Sequence, residues 1–233
     1  MRLDRFFSSV GRLTRSECSA AVRAGRITVN GEKVRLPSVH VDPEHDRVSL
    51  DGIDVRYRRY FYIMLNKPQG YISSTENTER SVMCLVPDEF RRAGGFPCGR
   101  LDVDTVGLLL ITNDGERAHR LLSPRRHITK TYRFRVTEPL GDAEVNTLRT
   151  GVCLGDFVTS PANVRMESPV SGEIDISEGK FHQIKRMMEA VGSKIEYLER
   201  IGFGPLQLDP ALGRGDWREL TEAEIDSVTD SCK

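Results

Sequence analysis

Leu3, Phe6, Phe7 and Val10 recur at helical spacing, and Gly11 can end the helix they predict. Thr14-Arg15-Ser16-Glu17 has the form of a capping box: the threonine oxygen accepts from the backbone N–H three residues on, and the glutamate reaches back. Cys18, Ala21 and Val22 continue an apolar stripe, and Gly25 sits where a helix C′ glycine belongs. Arg26 to Val29 and Glu32 to Val34 flank Asn30-Gly31, a turn that needs positive φ. The predicted order over the first 36 residues is therefore helix, helix, strand, turn, strand. Pro37, Pro43, Asp51-Gly52 and Arg56-Tyr57-Arg58-Arg59 mark a transition of short strands, a turn and a linker. The expected boundary divides residues 1–59 from 60–233.

Tyr60 to Leu65 reads as a buried strand, stopped by Lys67-Pro68 and Gly70. Further strands are expected over Leu108–Thr112, Lys130–Thr137, Gly172–Ser177 and Lys194–Ile201. Helices are expected over Glu116–Leu122, Asp142–Thr150, Phe181–Val191 and Thr221–Val228, the last opening on a second capping box. Many strands with few interleaved helices predict an α+β fold: a small α/β unit, then a domain with a mixed, mainly antiparallel sheet and flanking helices.

Composition narrows the function. The hydrophobic share of 38% suits a packed core. No apolar stretch approaches the ~20 residues of a membrane span. The charged start of the chain does not resemble a signal core, so a cytoplasmic protein is expected. The cysteines (Cys18, Cys84, Cys98, Cys153, Cys232) are scattered, without the spacing of a zinc or redox site. Net charge is zero, but its distribution is uneven. Residues 1–36 carry 8 Lys/Arg against 3 Asp/Glu, residues 117–135 carry 7 and no acid, and residues 207–233 carry 3 against 7. Polyanion binding follows local basic surface rather than the total, although charged faces of this kind are also ordinary solvated surface. Helix two and the hairpin bring arginines together, and the planar guanidinium favours phosphate.

The residues Arg2-Leu3-Asp4, Thr14 to Glu17 and Ala24 to Gly31 together resemble the S4 RNA-binding domain. That resemblance implies contact with structured RNA through shape and backbone. Arg2, Arg5, Arg15, Arg23, Arg26 and Lys33 are the candidate RNA contacts, joined in the later basic segment by Arg125, Arg126 and Lys130. His119 and His127 are expected along the same RNA path.

Gly99-Arg100-Leu101-Asp102-Val103-Asp104-Thr105 puts two acids and a base in a glycine-bounded loop before a buried strand. Read alone, it is better taken as a loop with turn-forming aspartates. Through Leu108, however, the string resembles the catalytic motif of the pseudouridine synthases of the RsuA/RluA superfamily. Asn66-Lys67-Pro68-Gln69-Gly70, Lys130-Thr131-Tyr132 and Ser177 to Met187 resemble that family's other motifs in type and order. The resemblance implies that Asp102 is a nucleophile and that Tyr132 stacks on uracil and assists proton transfer. It implies that Lys185, with Arg186 as the alternative, is the ionic partner of Asp102, and that Arg100 helps flip the base out of its helix. Without it, Tyr132 is a core residue, Lys185 and Arg186 are helix-surface or phosphate contacts, and Arg100 forms an internal salt bridge. Asp104 and Thr105 are expected to support the turn, and His182 and Gln183 to brace the site without acting as acid or base.

The resemblance points to the branch acting on small-subunit 16S rRNA and implies uridine 516. Naked rRNA or a small-subunit assembly intermediate is the implied substrate, a monomer is expected, and no cofactor, metal or membrane is called for. The absence of a long basic tail after Lys233 favours this branch over the sister branch acting on 23S rRNA. A non-catalytic RNA-binding assembly factor is the rival from another class. A glycoside hydrolase using Asp102 and Asp104 is disfavoured, because one loop gives poor control of carboxyl separation.

Overall fold

A computed structural model describes residues 1–76 and 78–231, so Cys232 and the end of the chain lie outside the described residues. The chain divides into two compact units, Met1–Phe61 with Val86–Phe96, and Tyr62–Leu85 with Pro97–Lys233.

In the first unit, α1 (Leu3–Ser9) and α2 (Arg15–Arg23) pack over a sheet of order β2-β1-β3-β4. Its strands are β1 (Ile27–Val29), β2 (Glu32–Lys33), β3 (Val48–Leu50) and β4 (Ile53–Asp54). Leu3, Phe6, Phe7, Cys18, Ala21, Val22 and Ile27 form its core, as their spacing predicts, joined by Val41 and Val48. The Thr14 capping box is present. Asn30-Gly31 and Asp51-Gly52 both turn with positive φ, so part of the stretch read as transition builds the sheet. Residues 86–96 also belong to this unit, with a short helix α3 (Asp88–Arg92) that the sequence did not signal. Gly11, at φ +70°, has no room for a side chain: a Cβ would lie 1.8 Å from the Glu89 carbonyl oxygen.

The second unit begins with β5 (Tyr62–Lys67). The chain re-enters it through β6 (Phe96–Pro97) and runs into β7 (Val106–Thr112). Then come α4 (Gly115–Leu122), β8 (Lys130–Val136), α5 (Asp142–Thr150), β9 (Asn163–Ser168), β10 (Ser171–Ile176), α6 (Gln183–Ala190), β11 (Ile195–Phe203), β12 (Leu206–Gln207), β13 (Trp217–Glu219) and α7 (Glu222–Asp230). The sheet runs β13-β5-β7-β11-β8-β10-β9, with β12 on β11. Its β7–β11 pair is parallel and the other pairs along this path are antiparallel, the mixed arrangement expected. Every residue of β5 and β7 is buried, whereas β8 alternates, with Tyr132, Phe134 and Val136 inward and Arg133 and Arg135 outward.

Two helix starts matter for the site. Asp114 is the buried N-cap of α4 and also accepts from the Tyr62 hydroxyl at 2.6 Å. The helix expected from Phe181 starts at Gln183, because His182 adopts a left-handed conformation (φ 49°) that a helix cannot continue through.

Candidate active site

The loop between β6 and β7 carries Arg100, Asp102 and Asp104, and its backbone is held from beneath. Lys67, the last residue of β5, is wholly buried. Its ammonium donates to the carbonyl oxygens of Pro68 (3.2 Å), Asp102 (3.0 Å), Val103 (3.3 Å) and Thr105 (2.9 Å). Such charge-assisted bonds are what make burying an ammonium tolerable. Burial still dominates its titration and lowers the Lys67 pKa to about 8, against the opposing pull of Asp104 and Asp102. Ser73 adds a reciprocal clamp: its Oγ accepts from the Leu101 N–H at 3.0 Å and donates to the Leu101 carbonyl at 3.1 Å. Gly107 (φ +99°) lets β7 approach β11, where a Cβ would sit 2.3 Å from the Arg200 carbonyl oxygen. The loop therefore presents its carboxylates from a fixed backbone.

Facing the loop, α6 supplies Lys185. Its Nζ lies 3.1 Å from Asp102 Oδ2 and 2.6 Å from Asp104 Oδ1. His182 Nε2 lies 3.5 Å from Asp102 Oδ1, so each oxygen of Asp102 faces a nitrogen. Burial alone would lower the Lys185 pKa, but its bonds to the two carboxylates outweigh that and raise it. Burial likewise works to raise the Asp104 pKa, and Lys185 overrides it, holding this carboxyl below its ordinary value. The Lys185 ammonium thus sits between two carboxylates, of which Asp102 is one-third exposed. The turn before α6 is fixed by Gln183, which donates to Glu178 at 2.8 Å and accepts from the Lys180 N–H at 3.0 Å. Glu178 in turn accepts from the N–H and Oγ of Ser160.

A cavity opens against this loop. Arg100, Asp102, Tyr132, His182 and Lys185 all line it, with Ile176 and Leu198 giving an apolar wall. Tyr132 is nearly buried, and its hydroxyl makes no hydrogen bond among the described residues. Arg100 is exposed and likewise unpaired among them, so no internal salt bridge holds it. The arrangement joins a carboxylate, a phenol and two cationic side chains around space for a planar, partly apolar ring.

The sequence-derived candidates divide accordingly. Arg100, Asp102, Tyr132 and Lys185 converge. Arg186, the alternative partner of Asp102, turns to Asp156 and the Leu154 carbonyl and lies over the Phe157 ring. Asp104, read as turn support, instead makes the shorter of the two contacts to Lys185, and His182 touches Asp102 directly. Lys67 had no assigned role, although its Asn-Lys-Pro setting was legible. Its function is invisible in sequence because three of the four carbonyls it binds lie 35 to 38 residues away. Among the RNA-contact candidates, Arg5, Arg15, Arg23, Lys33, Arg125 and Arg126 are exposed without an ion pair among the described residues. Arg2 and Arg26 are tied by paired hydrogen bonds to Asp4 and Asp51, which occupy the fork a phosphate would take. Lys130 is half-buried with its Nζ 3.4 Å from the Ser177 carbonyl oxygen, so it faces the fold rather than an open surface.

A family model for RNA pseudouridylate synthase matches residues 61–190, and the S4 domain model matches residues 1–48. The chain is 40% identical over 233 residues to ribosomal small subunit pseudouridine synthase A of Escherichia coli, covering 98% of this chain and 100% of that protein. It is 42% identical over 231 residues to an uncharacterized RNA pseudouridine synthase of Bacillus subtilis, covering 97% of each. A crystal structure of a pseudouridylate synthase superposes with a TM-score of 0.70 at 34% identity, over 98% of this chain and 99% of that one. No described helix is long and apolar enough to cross a membrane. Matched by the family model over more than half its length and by these relatives over nearly all of it, the chain belongs to the RNA pseudouridylate synthase family and carries an S4 domain at its N-terminal end.

Proposed function

We propose that the protein isomerises one uridine of small-subunit 16S ribosomal RNA, uridine 516, to pseudouridine. It acts as a cytoplasmic monomer on naked rRNA or on a small-subunit assembly intermediate. In this reaction the C1′–N1 bond breaks, the uracil turns, and a C1′–C5 bond forms. The C5 proton leaves and N1 ends protonated, so nothing is gained or lost. No electron or group is imported, and the proposal assigns no cofactor. Asp102 is the nucleophile: its carboxylate forms an ester with the ribose C1′ or adds to the uracil ring, then departs. Lys185 is its ionic partner, 3.1 Å from the carboxylate. Tyr132 stacks on the uracil, and its hydroxyl serves the removal of the C5 proton. Arg100 enters the RNA helix as the target leaves it, offsetting part of the few kcal/mol that base extrusion costs.

The observation that carries this reading is the meeting of Asp102 and Tyr132 on one cavity wall, with the Lys185 ammonium 3.1 Å from the carboxylate. The relatedness to a small-subunit enzyme supports the choice of RNA. The test is pseudouridine mapping of 16S and 23S rRNA, naked and within assembly intermediates, after treatment with the purified protein. One new pseudouridine in 16S rRNA is expected. Modification confined to 23S rRNA would move the protein to the sister branch. Binding without pseudouridine in any of these RNAs would make it a non-catalytic assembly factor.

A further inference from the structure

The cavity has a second lobe. The inner one, about 80 Å³, is lined by the nearly buried Tyr132; the outer one, about 520 Å³, shares Arg100, Asp102, His182 and Lys185 with it and is lined in part by side chains that are themselves exposed. A single flipped uracil accounts for the inner lobe and leaves the outer one unexplained.

The outer lobe is rimmed by apolar side chains that the fold leaves uncovered. Ile72, Val103 and Phe181 are among the exposed large hydrophobic residues of the chain, and all three line this one space. Phe181 is the extreme case at 73% exposed. Apolar side chains gathered at one place and rimmed by charge mark a binding surface, whereas singly scattered ones need no explanation.

Phe181 is also held in place. Its ring stacks on that of His182, with centroids 3.8 Å apart and planes 16° from parallel. Consecutive residues present stacked rings here because His182 takes its left-handed conformation. That conformation is uncommon for a residue other than glycine, and such outliers gather at ligand sites. His182 in turn touches Asp102. A stacked aromatic face thus projects into solvent beside the residue that touches the carboxylate, with Arg100 and Lys180 on the same lobe to meet phosphate. Stacking on a fixed aromatic ring beside cations is how proteins hold unpaired nucleobases.

We infer that the outer lobe is a second nucleobase subsite, in which Phe181 stacks on the base directly flanking the target uridine while Ile72 and Val103 close the apolar floor. The enzyme then engages two successive nucleotides, and its substrate is a site where the neighbour as well as the target can leave the helical stack. This inference rests on the proposed function, since it takes the inner lobe to hold the target.

The test is a double-mutant cycle between protein and RNA. Wild type and Phe181→Ala are assayed on RNAs ligated from synthetic segments, in which the nucleotide 5′ or 3′ of the mapped uridine keeps its base or lacks it. Because the Phe181 side chain is so exposed, its truncation leaves folding intact, which an unchanged unfolding midpoint verifies. On intact RNA, Phe181→Ala is expected to raise KM roughly ten-fold or more, with kcat within about two-fold, as loss of one stacked base implies. Phe181→Trp restores KM and Phe181→Leu does not. Removing one of the two flanking bases is expected to raise the wild-type KM by a similar factor and to leave Phe181→Ala unaffected. An unchanged KM for Phe181→Ala, or additive losses with both abasic RNAs, overturns the subsite. Either result would appear while pseudouridine is still formed, whereas failure of the proposed function would show as no pseudouridine with any variant.

Discussion

The two units handle positive charge in opposite ways. In the S4 unit, Arg5, Arg15, Arg23 and Lys33 stand exposed without ion pairs among the described residues, and the pair of Arg26 with Asp51 is itself about half exposed. In the synthase unit, Lys67 is sealed under a loop and Lys185 is pressed between two carboxylates. Exposed cations add little to stability but are free to displace counterions from a phosphate chain. Buried cations are costly and are kept where an atom must stay in one place. On the proposed function the difference separates holding RNA from reacting with it, and each side of it can be broken separately.

The largest effect should come from the synthase side. Lys185→Met is expected to lower kcat by roughly 10²–10³-fold, the scale of losing a preorganised charge at a reacting group. Arg186→Gln should cost far less, because Arg186 is engaged by Asp156 instead. Single-turnover rates decide, and equal losses would erase the distinction between the two cations. Lys67→Met should come next, with kcat down about 10²-fold through displacement of the Asp102 loop, and a lower unfolding midpoint as buried carbonyls lose their donor.

Lys67 also gives a pH signature. Its folded pKa, about 8, lies below the ordinary lysine value, so between the two the unfolded chain binds more protons. The contribution of Lys67 to stability therefore grows as pH rises through that window, while kcat falls because the neutral amine has fewer protons for its carbonyls. Opposite trends in unfolding free energy and kcat above pH ~8, both lost in Lys67→Met, are the expected result.

How much of this could be read from sequence follows the range of the interactions. The paired helices, the Asn30-Gly31 turn and α5 rest on local spacing and chemistry, and they fall where expected. β9 was missed because its inward positions are weakly apolar, with Val164 buried and Met166 only partly so. β13 and α3 are too short for a period to show. Asp102, Tyr132 and Lys185 were legible through a resemblance of motifs, not through physics, since nothing local distinguishes Asp102 from a turn-forming aspartate. Lys67, and the sharing of Lys185 by Asp104, depend on contacts 35 to 81 residues apart that no local pattern encodes. The sequence pattern predicts a helix from Phe181, and only the conformation of His182 shows Phe181 as an exposed ring.

On the S4 side the effects are smaller and of another kind. Arg15→Gln with Arg23→Gln should weaken RNA binding, reduce the slope of affinity against salt by about one unit per charge, and leave single-turnover kcat unchanged. Matching variants at Arg2 and Arg26 should change the slope less, because Asp4 and Asp51 already engage them. Thr14→Ala should cost only about 1 kcal/mol through loss of the capping box, seen in thermal unfolding and absent from kcat.

On the proposed function Asp102, whose backbone carbonyl accepts from Lys67 and whose carboxylate lies 3.1 Å from the Lys185 ammonium, bonds to the nucleotide being isomerised. Asp102→Asn keeps the shape of the side chain and removes its charge. Tritium release from 5-tritiated uridine in 16S rRNA, measured beside the unfolding midpoint and RNA affinity of the same preparation, tests the claim directly. The account requires release to fall at least ~10⁴-fold with folding and binding retained. Release within about ten-fold of wild type from a folded, RNA-binding Asp102→Asn protein would contradict it.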